Sequence, residues 1–391
     1  MSATLPLAPA IERLGTETAF SVLARAQALE RSGRSVIHLE IGEPDFDTPP
    51  HVVEAAVDAL RRGETHYCPS AGIQELRESA AAYFERSRGL GVGAENCLVA
   101  TGAKPFLFFG VLATCGPGDE VVYPDPGFPI YESAIRYAGA TPVPLPLLAA
   151  DDFALDPERL RALVGPRTRL VILNAPQNPT GGSLDAAGAD AVAAVLEETS
   201  AWILLDEVYC RLHYDGEFRS VAAGGRLAER TIVLDGASKT YAMTGWRCGF
   251  AAVPDPLVEP LVRFFVNSTS CVPPFVQHGA VAALEGPQEC VEEMRAEFLR
   301  RREIVVDELN GVPGVTCATP AGAFYAFPSV AGLPCSETDL AERLLEEAGV
   351  ATLAGTAFGA AGAGHLRISY ANSEPNLREA LARLRALVDS L

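Results

Sequence analysis

From about residue 97 to 253 the chain alternates short apolar, β-branched runs with segments of helical character. The runs are CLVA at 97–100, EVVYP at 120–124, TPVPLPL at 141–147, RLVILNAP at 169–176, WILLDEVY at 202–209, TIVLDGAS at 231–238 and CGFAAVP at 248–254. Runs that stay apolar, rather than alternating with polar residues, suit strands buried on both faces. The stretches 105–115, 128–138 and 185–199 between them predict helices, so the expected class is α/β, a mostly parallel sheet flanked by helices. A helix over 50–62 is bounded by Pro49, Pro50 and Gly63. The segment 286–310 predicts one long amphipathic helix with Val291, Met294, Phe298 and Ile304 on one face. After it come an expected hairpin at 315–330, a helix at 337–348, a strand at 365–371 and a last helix from 374. That pattern is α+β. The expected organisation is an N-terminal segment, 1–46, leaning on a smaller C-terminal domain, 287–391, with a large domain over 47–286.

The length of 391 residues accommodates two or three packed units. With 48% apolar and 21% charged residues, disordered and fibrous classes are excluded. No apolar run reaches the roughly 18–20 residues needed to span a bilayer. The opening MSATLPLAPAIERLG lacks the basic start and apolar stretch of a secretory signal. The nine cysteines are scattered without a CxxC pair, as expected of reduced thiols, and a cytoplasmic protein is expected. Against a net charge of −19, neither nucleic acid nor an anionic membrane is an expected partner. The six histidines show no HxxxH or HExxH spacing, so no metal site is expected. Neither GxGxxG nor GxxxxGK[ST] occurs, which leaves dinucleotide and P-loop folds unsupported.

Only two lysines are present, Lys104 and Lys239. Lys239 follows the apolar run TIVLD, where an unpaired ammonium is costly. One reading is a solvated loop lysine; the other is an amine that forms an imine with an aldehyde cofactor. Ser238 and Arg247 flank it, a hydroxyl and a planar guanidinium suited to a phosphate. A second phosphate candidate is ATGAKPFLFF, where Thr101, Gly102 and Ala103 lead into a helix start at Pro105 with free backbone amides. Asp206 and Glu207 close the run WILLDE, where a carboxylate needs a partner; a protonated ring nitrogen is one option, and Tyr209 is placed to donate to a phenolate oxygen. NAPQNPTGG is a turn that also sets Asn178 at a strand end. Arg367, in HLRISYA, is either a solvent-facing strand residue or a fork for a substrate carboxylate.

Taken together and in order, IGEPDFDTP, HYCPSAGIQELRE, ATGAKPFLFF, NAPQNPTGG, LLDEVY and SKTYAMTGWRCG resemble the class I/II aminotransferases of the aspartate aminotransferase family, pyridoxal 5′-phosphate enzymes of fold type I. The resemblance runs from about residue 11 to the C-terminus. It implies that Lys239 forms the imine with the cofactor and shuttles the substrate proton, that Asp206 pairs with the pyridine nitrogen, and that Asn178 and Tyr209 meet the ring oxygen. Gly102, Ala103, Lys104, Ser238 and Arg247 are implied at the phosphate, the first three mainly through backbone amides. Phe128 is implied to stack on the ring. Tyr67 is implied to reach the phosphate of a neighbouring subunit, so a homodimer is expected. Arg367 is implied to take the substrate α-carboxylate, helped by Asn178 and the backbone of Gly42. The implied reaction is ping-pong transfer of an amino group between an L-amino acid and a 2-oxo acid, with glutamate and 2-oxoglutarate as one pair. Elimination, racemisation, decarboxylation and oxidation share the same motifs, and a non-catalytic cofactor-binding regulator is the remaining alternative. No second arginine is assignable to a substrate side-chain carboxylate, which argues against strict aspartate specificity. Glu17, in the N-terminal segment, is expected to be an ordinary acidic residue at a helix N-terminus, with a contact to a basic or polar side chain as the alternative.

Overall fold

The computed structural model describes residues 7–391. A two-residue strand, β1 (Ile37–His38), precedes a seven-stranded sheet built from β2 (Cys97–Ala100), β3 (Glu120–Asp125), β4 (Thr141–Pro146), β5 (Thr168–Asn174), β6 (Trp202–Asp206), β7 (Thr231–Gly236) and β8 (Gly249–Ala252). Their spatial order is β2-β8-β7-β6-β5-β3-β4. β8 runs antiparallel to both neighbours, and the other pairs are parallel.

Successive side chains on the inner strands enter opposite layers, which is why these strands read as unbroken apolar runs, whereas the edge strand β4 buries only Leu145, so the expectation of burial on both faces fails there. Val171, Leu173, Ile203 and Leu205 pack on one face with Val192 and Leu196 of the helix Ala186–Glu197. Leu170, Ile172 and Leu204 pack on the other with Phe106 and Val111 of the helix Lys104–Thr114 and Leu261 and Phe265 of the helix Asp255–Ser268. Among the described residues, no helix is long and apolar enough to cross a membrane.

The C-terminal part starts with the helix Glu289–Asn310 and adds β9 (Tyr325–Ala326), β10 (Val350–Ala351), β11 (Leu353–Ala354) and β12 (Leu366–Ser369). β11, β12 and β9 form an antiparallel sheet, while β1 pairs in parallel with β10, Ile37 opposite Val350. A third core gathers Phe298, Phe324, Tyr325, Tyr370 and Leu384, and it includes Tyr209 and Leu212 from the loop after β6.

Two elements differ from expectation. Thr316 and Ser329 do exchange backbone hydrogen bonds of 3.0 and 2.7 Å, but the only strand between them, β9, pairs with β12 instead of closing a hairpin. Apolar alternation marks a strand without naming its partner. The helix expected over 337–348 is α-helical for Glu337–Arg343 and then widens into a π turn, Leu344–Ala348, ended by Gly349 at φ +65°. Ser336 starts it, its hydroxyl oxygen accepting from the Asp339 amide at 3.0 Å.

Candidate active site

Parallel strands end on one edge of the sheet, and the loops leaving that edge meet there. β2 leads to Gly102, Ala103 and Lys104, β3 to Phe128, β5 to Asn178, β6 to Asp206 and Tyr209, and β7 to Ser238 and Lys239. β8 runs the other way, so its entry, Arg247, arrives at the same edge. These side chains, Gly102 excepted, line a cavity of about 550 Å³ with Gly42 from the N-terminal segment and Tyr325 and Arg367 from the C-terminal sheet. Of the residues expected at the site, Tyr67 is not brought in: it stands 90% exposed outside the cavity lining.

Lys239 sits in the one-turn helix Ala237–Thr240, directly after β7. Its Nζ donates to the Gly42 carbonyl at 2.5 Å and lies 5.8 Å from the Phe324 ring centroid. Among the described residues, no carboxylate hydrogen-bonds to it. Burial lowers its pKa from the ordinary 10.5 to about 8; Glu43 opposes that shift, and the nearby charges of Arg367, Arg247 and Lys104 reinforce it. Gly42 has to lack a side chain here, because a Cβ would collide with the Tyr325 hydroxyl.

Asp206 is buried at the end of β6, paired in register with Asn174 and Leu234. Its Oδ2 accepts from Tyr131 Oη at 2.7 Å, while its Oδ1 is buried with no partner. Burial raises this carboxyl to about 6, with hydrogen bonds from Tyr131 and the Val208 amide pulling against it. An unpartnered buried carboxylate oxygen facing a cavity calls for a donor, and a protonated ring nitrogen supplies one.

At the other end of the cavity the chain is pared down to backbone. Gly102 has φ +90°, and a Cβ there would run into the Arg247 guanidinium. A Cβ on Gly249 would strike the Gly102–Ala103 peptide. The helix Lys104–Thr114 begins here with Pro in its first turn and no side-chain cap; the Phe106 amide turns to the Ala103 carbonyl at 3.1 Å, which leaves the amides of Ala103 and Lys104 for an anion. Arg247 is anchored by donating to the carbonyls of Thr244 at 2.9 Å and Thr101 at 3.3 Å. Free amides, a guanidinium and the Ser238 hydroxyl at one end, with Asp206 and Lys239 beyond, fit the phosphate, ring nitrogen and aldehyde of pyridoxal phosphate.

Arg367 is buried within β12, which removes the solvent-face reading. Its guanidinium lies 4.7 and 4.9 Å from the ring centroids of Tyr325 and Phe358. Nη1 donates to Asn178 Oδ1 at 3.3 Å, Nη2 donates to the Glu40 carbonyl, and Nε is buried without a partner. Glu17 stands at the N-terminus of the helix Thr18–Arg31, as expected, but its carboxylate accepts no capping hydrogen bond there and pairs with Lys104 at the mouth of the cavity, where the ammonium lies between the Phe20 and Phe128 rings. Residue-by-residue reading missed Tyr131 and Tyr325. Tyr131 lies seven residues after Pro124 in a segment whose only visible signal was Phe128. Tyr325, whose hydroxyl shares a 2.8 Å hydrogen bond with that of Tyr209, sat in the segment taken for a hairpin.

The family model for aminotransferase class I and II matches residues 34–384. An aspartate aminotransferase of Rhizobium meliloti is 41% identical, covering 97% of this chain and 96% of its own length. An aromatic-amino-acid aminotransferase of Thermococcus litoralis is 40% identical, covering 93% of each chain. A crystal structure of the aspartate aminotransferase from Rhizobium meliloti superposes with a TM-score of 0.93 at 40% identity, over 99% of both chains. The cavity and the matching family model give the same answer: the chain belongs to the class I and II aminotransferases and is a pyridoxal-phosphate-dependent transaminase.

Proposed function

We propose that the chain moves an amino group between an L-amino acid and a 2-oxo acid by a ping-pong mechanism, with glutamate and 2-oxoglutarate as one donor–acceptor pair. The observation that carries this reading is the convergence in one cavity of an amine with no carboxylate partner, Lys239, a carboxylate with a free oxygen, Asp206, and a buried guanidinium, Arg367.

Bound pyridoxal phosphate supplies the electron sink for the pair left at Cα when its proton departs. The side chains do the rest. Ala103 and Lys104 offer backbone amides to the phosphate, Gly102, whose own amide donates to the Ala100 carbonyl at 2.7 Å, makes room for Arg247 by lacking a side chain, and Ser238 and Arg247 add a hydroxyl and a positive charge. Phe128 packs against the ring, and Asp206 holds a proton on the ring nitrogen by offering Oδ1. Asn178 and Tyr209 hold the ring oxygen. Arg367, with Asn178 and the backbone of Gly42, takes the α-carboxylate and so fixes the bond to be broken over Lys239. Burial, which lowers the pKa of Lys239 to about 8, favours its neutral form, and it accepts the Cα proton as general base. One cavity serves both half-reactions, so the first product leaves before the second substrate enters. In this proposal Tyr67, exposed on the single chain, completes the phosphate site of a second copy in a homodimer.

The test is a panel of L-amino acids added to the holoenzyme, following loss of the visible cofactor band and its return on adding a 2-oxo acid. Parallel double-reciprocal lines with glutamate as donor support the reading. Release of ammonia and an oxo acid with no amino acceptor present contradicts it.

A further inference from the structure

Directly behind the cavity, on the far side of the strand ends that line it, lies a fully buried charge cluster that none of the roles above uses. Arg88 closes the helix Gln74–Arg88, and Gly89, at φ +65°, turns the chain away. The Arg88 side chain is 0% exposed and packs 5.3 and 5.2 Å from the ring centroids of Tyr83 and Phe84. Its Nε donates to Glu207 Oε2 at 2.6 Å, and its Nη2 donates to Asp235 Oδ2 at 2.5 Å and to Cys210 Sγ at 3.0 Å. Nη1 donates to Ser87 Oγ at 2.7 Å. The carboxylates have further partners: Ser220 Oγ donates to Glu207 Oε1 at 2.6 Å, and Tyr83 Oη donates to Asp235 Oδ2 at 3.0 Å.

The positions of the two acids give the cluster its meaning. Glu207 is the next residue after Asp206, and Asp235 lies four residues before Lys239. Strand alternation sends Asp206 and Gly236 into the cavity and Glu207 and Asp235 away from it. Asp235 Oδ1 also accepts from the Gly236 amide at 2.6 Å, so it holds the backbone from which the Lys239 turn departs. One planar guanidinium therefore bridges the end of β6, which carries Asp206, to the end of β7, which carries Lys239. A guanidinium fork fixes two carboxylates at set angles, as an ammonium does not.

We propose that Arg88 is a positioning residue for transamination, clamping Glu207 and Asp235 so that Asp206 and Lys239 keep their separation. It touches neither substrate nor cofactor, and the assignment rests on the roles of Asp206 and Lys239 proposed above. It also offsets part of the negative charge beside Asp206, where loss of the cation would leave two uncompensated carboxylates next to it.

Two variants of the holoenzyme test this. Arg88→Lys keeps the charge and loses the fork. The triple variant Arg88→Met, Glu207→Gln, Asp235→Asn removes every charge of the clamp while filling the same space, a replacement buried ion clusters often tolerate. Misplacement of reacting groups by a distant change costs on the order of 100-fold, so kcat should fall by about tenfold to 100-fold in either variant while KM for the amino acid stays within about twofold. The pH at which the visible band of the bound cofactor changes should also move, a readout a purely structural role would leave in place. Wild-type kcat with an unmoved band transition in Arg88→Lys overturns the clamp, whether or not the triple variant folds. A kcat loss in the triple variant that follows only its melting temperature also overturns it. Lys239→Ala distinguishes the underlying reading: if it abolishes turnover while Arg88→Lys is inert, the roles of Lys239 and Asp206 stand and the clamp falls.

Discussion

The protein has two lysines, and the cavity holds both in opposite environments. Lys104 sits at the mouth, its side chain 46% exposed and ion-paired with Glu17. Lys239 sits on the floor, hydrogen-bonded to a backbone carbonyl, near two arginines and without a paired carboxylate. Lys104 thus has its countercharge in place, while burial loosens the proton on Lys239. The residue type is the same; only the surroundings suit one of them to the role of base proposed above. The surroundings come from fold topology, because β7 delivers Lys239 beneath Arg367 and Arg247, while the helix start after β2 delivers Lys104 to the rim.

The sharpest way to break this comparison is to remove each amine in turn. Lys239→Ala should lower kcat by about 10⁴-fold, the upper range for losing a positioned general base. Lys104→Ala should lower it by less than about tenfold, since an exposed ion pair carries about 0–1 kcal/mol. Steady-state kinetics on both holoenzymes decide the point, and equal losses would erase the distinction.

Next in size, Arg367→Leu removes the buried cation proposed above to take the substrate α-carboxylate. A hydrogen-bonded charge of this kind is worth about 1.5–3 kcal/mol, so kcat/KM should drop by roughly 10- to 150-fold. Carboxylate inhibitors should weaken in parallel, measured by titration of the bound cofactor's absorbance. Unchanged inhibitor affinity would move the carboxylate site elsewhere.

The smallest effect concerns the cofactor-free protein. Folded Lys239 releases its proton near pH 8, against 10.5 ordinarily, so the unfolded chain binds the extra proton between those values. Stability therefore rises with pH across that window, and the cost of burying the charge is fully present below pH 8. Lys239→Met should raise the melting temperature at pH 7 by about 2 °C or more, an advantage that fades above pH 10. Lys104→Met should leave it unchanged or slightly lower. Melting curves at pH 7 and 10.5 distinguish the two lysines without any turnover.

What could be read from the chain divides along a physical line. The buried strands were legible because a sheet covered on both faces demands unbroken apolar runs, and Asp206, Lys239 and Asn178 stood out as polar residues ending such runs. Tyr131 was not legible, since its use depends on a contact with Asp206, 75 residues away. Arg88 was no more visible, its two carboxylates lying 119 and 147 residues downstream. Arg367 gave both a solvent-face and a cleft reading because strand alternation fixes which residues share a face but not what that face meets. Glu17 is a helix-terminal acid as its sequence suggested, and only the path of the N-terminal segment over the cavity turns its carboxylate toward Lys104.

The contrast between the two amines is tested most directly by borohydride reduction of the holoenzyme followed by peptide mapping. The account predicts that the cofactor is fixed to Lys239, in the peptide containing DGASKTYAMTGWR. A label on Lys104, or none on either lysine, would contradict it.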